Sequence, residues 1–283
     1  AFRRHENQPI NNIYLFIYLQ NYAFFGIFDG HGGPEAATYA KEHLLDSIVS
    51  QKAFWSDRDE DVLRAIREGY MSTHYTMWKD RDKWPTNSSG LPSTSGTTIY
   101  IGHVGDSGIV LGFQEGTDPT WQAKLLTRDH KPESFTEKRR IHLGPVRRST
   151  PIDEIPFLAV SRSLGDFWSY NSEYDKFVVS PEPDVSVFPV DPQKHRCLIF
   201  GTDGLWNVMN PSYAVQTVQW TEIQNEKHVI NQTQNQNHPE WINPSKNLVD
   251  EALFLWSVKN LRADNTSVVT LMLDPPDHLE LRY

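Results

Sequence analysis

The sequence predicts a single α+β domain over residues 1–283. Three observations carry this expectation. Short runs dense in Ile, Val, Phe and Tyr alternate with stretches of helical apolar period. No internal repeat recurs, and no linker-like segment divides the chain.

The elements follow in order. Residues 13–19 and 23–28 are two strands, rich in Ile, Tyr and Phe. The second stops at Asp29-Gly30-His31-Gly32-Gly33-Pro34. Pro34 opens a helix where a missing N–H costs nothing, and Ala37, Ala40, Leu44 and Ile48 line its apolar face to about residue 50. A second helix spans about 59–79, with Leu63, Ile66, Tyr70 and Met77 in register. Residues 86–96, dense in Ser, Thr, Gly and Pro, are a loop. A β region over 97–113 is broken at Gly105-Asp106-Ser107, and further strands are expected at 122–127, 156–161, 185–190 and 196–201. Asn210-Pro211 starts a helix. Residues 224–245, rich in Asn and Gln, are expected as a polar surface insertion. A helix at about 247–259 leads through Arg262-Ala263-Asp264-Asn265 to a last strand at 266–273.

Composition narrows the function. A net charge of −9 argues against nucleic-acid partners, which demand a basic face, and suits carboxylates that hold cations. The one cysteine, Cys197, allows no intramolecular disulfide and suggests a reducing compartment. The apolar run 13–19 is too short to cross a bilayer, and the N-terminus shows no secretory leader. An intracellular location is therefore the expectation, with no membrane partner.

Aspartates close the apolar strands. Asp29 follows 24–28, Asp106 follows 101–105, Asp203 follows 198–202, and Asp264 stands just before Ser267-Val268-Val269. One Asp beside Gly is ordinarily a turn residue. Several at strand ends can converge on one rim of a sheet, where they repel one another unless a hard cation sits among them. Gly30 lets its backbone carbonyl approach an ion closely. His31, beside these groups, could give a proton to a departing alkoxide, although a lone His in such a corner is more often a turn residue.

Six blocks occur in order along the chain: Phe25-Gly-Ile-Phe-Asp-Gly-His-Gly-Gly33, Ser95-Gly-Thr97, His103-Val-Gly-Asp-Ser107, Ser161-Arg-Ser-Leu-Gly-Asp166, Thr202-Asp-Gly-Leu-Trp206 and Ala263-Asp-Asn-Thr266. The set resembles the signature blocks of the protein phosphatase 2C family. Longer stretches, among them Gly144-Pro-Val-Arg-Arg-Ser-Thr150 and Phe177-Val-Val-Ser-Pro-Glu-Pro-Asp184, are similar to the delta-type (Wip-type) branch, which acts in stress and DNA-damage signalling.

The resemblance implies a central β-sandwich of two antiparallel sheets flanked by helices on both sides. It implies metal-dependent hydrolysis of phosphoserine and phosphothreonine in proteins, with two Mg²⁺ or Mn²⁺ ions and a weaker third. Asp29 would bridge two ions, Asp203 and Asp264 would complete the first, and the Gly30 carbonyl would serve the second. Asp106, with Asp203, would hold the third. His31 would act as general acid on the leaving oxygen. Arg147 and Arg148 would bind an acidic or second phosphorylated side chain, against the plain alternative of solvated surface arginines. Asp166 resembles a family aspartate near the site and carries no assigned role. The implied partners are phosphorylated signalling kinases and damage-response proteins, met by a monomer.

The chain also departs from the family pattern. Glu6 is the one candidate for the family's N-terminal metal-binding glutamate, but Asn7 stands where Asp is preferred. Thr97-Thr98 runs straight into Ile99, where the family has a strand and a turn, and the family's flap segment and most of the delta-type basic loop are missing between Ile141 and Gly144. A phosphatase-like domain that binds phosphoproteins without turnover is therefore the alternative. Cysteine-phosphatase chemistry fails, because an Arg is needed six residues after the nucleophile and Cys197 is followed there by Asp203.

Overall fold

Strands β1 (Asn12–Leu19) and β2 (Tyr22–Asp29) lead into helices α1 (Glu35–Val49) and α2 (Asp59–Asp80). Strands β3 (Gly102–His103), β4 (Gly108–Phe113) and β5 (Gln122–Leu125) precede helix α3 (Phe135–Leu143). Short strands β6 (Tyr170–Asn171), β7 (Lys176–Phe177) and β8 (Asp184–Val185) follow, then the long β9 (His195–Gly201). Helices α4 (Asp203–Trp206), α5 (Pro211–Gln232) and α6 (Pro244–Val258) and strand β10 (Val268–Met272) complete the chain. The computed structural model describes residues 12–19, 22–30, 34–80, 102–143, 160–191, 193–232 and 241–273. Every strand pair within its sheets is antiparallel, so the fold is α+β, as expected. The chain forms two compact units, Ala1–Ser107 with Asp129–Val187, and Gly108–Arg128 with Phe188–Tyr283.

In the first unit β1 and β2 form a hairpin pair that runs from Leu19↔Tyr22 to Asn12↔Asp29. Phe28 enters an apolar cluster with Ala36, Ala37, Ala40, Leu44 and Ile48 of α1, and with Tyr70 and Met77 of α2. Ala37, Ala40, Leu44, Ile48, Tyr70 and Met77 are among the positions that helical spacing predicts, whereas Leu63 and Ile66 are only partly buried. The Tyr70 hydroxyl, buried in that cluster, donates to the Gly102 carbonyl and so ties α2 to β3.

A charged cluster lies beneath α3. Glu137 is 1% exposed and accepts from Arg140 Nε at 2.9 Å, Arg162 Nη2 at 2.6 Å and Ser161 Oγ at 2.8 Å. Arg162 also reaches Asp184 Oδ1 at 2.8 Å, and Arg140 donates to the carbonyls of Val178 and Ser161. Burial would push the Glu137 carboxyl up, but the Arg162 hydrogen bonds, the two arginine charges and the Ser161 hydroxyl reverse this and hold it at about 2.

The second unit is built on a four-stranded sheet of order β10-β9-β4-β5. Val110, Cys197, Ile199 and Val268 from this sheet pack with Ala214, Val215 and Val218 of α5 and with Leu248 and Ala252 of α6. Both helices start at the Asn-Pro signals. Asn210 Oδ1 accepts from Tyr213 N at 2.9 Å, and Asn243 Oδ1 from Lys246 N at 3.1 Å. The second cap explains why α6 begins at Pro244, three residues before its expected start.

Several expectations need correction. The segment 224–245 does not begin as a polar insertion, because α5 continues to Gln232. Asn225 is 2% exposed there, and its amide donates to Ile242 O and accepts from Ile242 N, both at 3.0 Å. A buried Asn that exchanges both bonds with the backbone of one residue satisfies what a polarity count assigns to water. The expected strand at 185–190 is paired only at Val185, and Val187 and Val190 are exposed. Residues 160–161 of the expected strand 156–161 lie outside any strand, and 156–159 lie outside the described residues. Helix α3 adds an element that apolar periodicity does not predict, because its buried side chains include a glutamate rather than forming an apolar stripe. The loop expected at 86–96 also falls outside the described residues. Among the described residues no helix is long and apolar enough to cross a membrane.

Candidate functional site

The first unit presents Asp29, Gly30 and Asp106. Phe28 is fully buried, Asp29 emerges half-buried at the last register pair of β2, and Gly30 is buried just beyond it. Asp106 sits on the turn between β3 and β4. Gly105 takes φ +96° there, a conformation that a side chain would strain, and so turns the chain immediately before the aspartate. The turn is held on both sides of Asp106. His130 N donates to Gly105 O at 2.8 Å, and the His103 ring Nε2 lies 2.8 Å from Ser107 O. The two imidazoles stack with centroids 4.7 Å apart. Burial, followed by the His130 charge, pushes the His103 imidazole down to about 3, so the ring is neutral at physiological pH.

Two charged neighbours of Asp106 were missed by sequence reasoning. Lys131 Nζ lies 3.6 Å from Asp106 Oδ2 and 3.9 Å from Asp129 Oδ2. Burial raises the Asp129 carboxyl, Lys131 lowers it, and the Asp106 charge raises it again. The only signal in the sequence was the compact string Asp129-His130-Lys131-Pro132, which is informative only once the turn at 105–107 is known to face it.

The second unit presents Asp203 and Asp264. Asp203 begins α4 directly after β9, and its Oδ2 accepts from Asn207 Nδ2 at 3.1 Å. Asp264 is exposed, and its Oδ1 accepts from Asn265 N at 2.7 Å. Their loops are laced together. Thr202 N donates to Ser267 O at 3.1 Å, Ser267 N to Thr202 Oγ1 at 3.0 Å, and Thr202 Oγ1 to Asn265 O at 3.1 Å. Trp256 Nε1 pins the Gly204 carbonyl at 2.7 Å.

The lacing needs glycine at 204. A Cβ there would strike the Asn265 carbonyl and lie 2.8 Å from Thr266 Oγ1. Gly204→Ala is therefore expected to push the two aspartate loops apart and to cost about 1–3 kcal/mol of stability. Urea denaturation checks this, and an unchanged midpoint would show that the loops are not held by this contact.

His31, Arg147, Arg148 and Glu6 lie outside the described residues. Asp166 is buried, and its carboxylate accepts from Ser163 Oγ and, at 2.9 Å, from Trp168 Nε1. Cys197 is fully buried, and burial pushes its thiol up to about 12, so it supplies no nucleophile. Among the described residues no group of three or more His, Cys, Asp or Glu side chains is arranged to hold a metal ion. The donors present still fit Mg²⁺ or Mn²⁺. They are all oxygen, and at Asp106 and Asp129 an ammonium already supplies a positive charge between two carboxylates.

Comparison with known proteins follows the same line. The profile of the family described as Protein phosphatase 2C matches residues 15–252. Protein phosphatase 2C homolog 2 of Schizosaccharomyces pombe is 34% identical over 212 residues, covering 69% of this chain and 52% of that protein. Probable protein phosphatase 2C 27 of Arabidopsis thaliana is 32% identical over 273 residues, covering 92% of this chain and 62% of that one. The chain thus spans about half to three-fifths of the length of these relatives. Among solved structures, a serine-threonine phosphatase 2C from Toxoplasma gondii superposes with a TM-score of 0.66 at 23% identity, covering 96% of this chain and 92% of that one. A C. elegans sex determining protein gives 0.65 at 19% identity, covering 97% and 64%. At these identities the structures speak for the fold.

Proposed function

The chain belongs to the protein phosphatase 2C family, and on that footing we propose that it hydrolyses phosphoserine and phosphothreonine in proteins in a reaction dependent on Mg²⁺ or Mn²⁺. The observation that carries the reading is the lacing of the Asp203 and Asp264 loops, in which three hydrogen bonds hold two carboxylate-bearing segments together.

Asp29, the Gly30 carbonyl, Asp203 and Asp264 would hold two ions, and Asp106 a weaker third. Ions bound there would lower the pKa of a water toward neutrality and offset the charge of the phosphoryl oxygens. The protein's own contribution is positional. Asp29 closes β2 and Asp203 follows β9, so the sheets behind them would hold these two carboxylates in place during reaction. His31 would deliver a proton to the serine or threonine oxygen as it leaves. Arg147 and Arg148 would take an acidic or second phosphorylated side chain of the substrate. Similarity of 144–150 and 177–184 to the delta-type branch supports a role in stress or DNA-damage signalling. Phosphorylated kinases and damage-response proteins would then be the substrates, met by a monomer in the nucleus or cytoplasm.

The test is phosphate release from a phosphothreonine peptide. Turnover is expected with Mn²⁺ or Mg²⁺ and is expected to vanish with a chelator. Tight phosphopeptide binding without turnover would replace this reading with that of a phosphoprotein-binding domain.

A further inference from the structure

We infer that Lys131 is a resident counter-charge that competes with a divalent cation for Asp106 and keeps cation binding at that carboxylate weak. The inference rests on the metal-dependent reading above and deepens it at one residue. Lys131 bridges two carboxylates, at 3.6 Å from Asp106 and 3.9 Å from Asp129. Both distances exceed a good hydrogen bond, so the contacts are charge pairs that an incoming ion can displace. The backbone beside Lys131 is not equally loose, because His130 N is fixed on Gly105 O at 2.8 Å. The ammonium is thus tethered within reach of Asp106 whether or not it is in contact.

The pair is partly withdrawn from solvent. The Asp106 side chain is 16% exposed and that of Lys131 32% exposed, so solvent screens the pair only in part. Asp129 shares the same ammonium at 3.9 Å, and its side chain is 48% exposed. Two such carboxylates need a compensating cation, and the chain carries its own. A divalent ion gains the carboxylates only by moving the ammonium into a region where the two cations repel.

The experiment titrates Mn²⁺ into the full chain and reads bound and free ion by electron paramagnetic resonance. Asp106→Asn identifies the binding class that belongs to this carboxylate. Lys131→Gln, and Lys131→Met as a second variant that keeps the packing of the stem, are expected to tighten that class by about tenfold. Lys131→Arg, which keeps the charge, is expected to leave it as weak as in the parent. Unchanged or weaker binding in both neutral variants, with thermal midpoints preserved, overturns the inference but leaves the metal-dependent reading standing. Loss of no class in Asp106→Asn overturns it as well. A parent chain that binds no Mn²⁺ at all overturns both.

Discussion

Asp203→Asn is expected to lower Mn²⁺-dependent phosphate release by more than about a hundredfold while leaving the fold intact. The substitution removes one negative charge and keeps the shape of the side chain. The Asn oxygen can still accept from Asn207 Nδ2, now 3.1 Å from Asp203 Oδ2, and the backbone bond from Asn207 N to residue 203 is untouched. The Thr202 bonds to Ser267 and Asn265 do not involve the side chain. Stability should therefore move by less than about 1 kcal/mol, as for surface substitutions. What changes is the affinity of the position for a hard cation, for which a neutral amide is a poor substitute for a carboxylate. Steady-state phosphate release and urea denaturation on the same preparation separate the two effects. Undiminished turnover in a folded variant would remove Asp203 from the site.

The largest stability loss is expected at Glu137. Glu137→Ala should cost about 3–5 kcal/mol, because it leaves the Arg140 and Arg162 guanidinium groups partly buried without their shared carboxylate. The same carboxylate gives the fold a defined acid limit. Its folded pKa is about 2 against an ordinary value of 4.5. A depressed carboxylate stabilises the fold fully above its unfolded pKa, and that contribution is lost as pH falls from about 4.5 toward 2. Asp184 adds in the same direction, since the contact with His130 and then the Arg162 charge hold it well below the usual carboxylate range. Urea midpoints measured between pH 7 and pH 3 should fall steeply for the parent and much less for the variant. A loss below about 1 kcal/mol at neutral pH would mean that water replaces the carboxylate without penalty.

The parts of this fold that follow from sequence are those whose signal is local. Strands β2 and β9 are apolar runs stopped by an Asp, so their extent and the positions of Asp29 and Asp203 are legible in the order of residues alone. Helix α1 buries the positions that repeat at helical spacing, and α2 buries two of its four, Tyr70 and Met77. Three of the misses share one cause, which is a polar residue whose partner is distant in the chain. Glu137 meets Arg162 across 25 residues and makes α3 look like a solvated segment. Asn225 meets Ile242 across 17 residues and makes the end of α5 look like an insertion. Lys131 meets Asp106 in the same way. Sequence reasoning named the carboxylates of the candidate site, but not the groups that hold and balance them, because polarity alone does not say whether water or protein completes a hydrogen bond.

The burial of Cys197 reaches beyond packing. Peroxides and related oxidants react with thiolates that they can touch, and many thiol-dependent enzymes are switched off in this way. Here the single sulfhydryl is protonated and buried, with its Sγ against Gly112 and within the apolar cluster that includes Val215 of α5. An oxidative pulse that silences a thiolate nucleophile would find no handle on this thiol while the second unit stays folded.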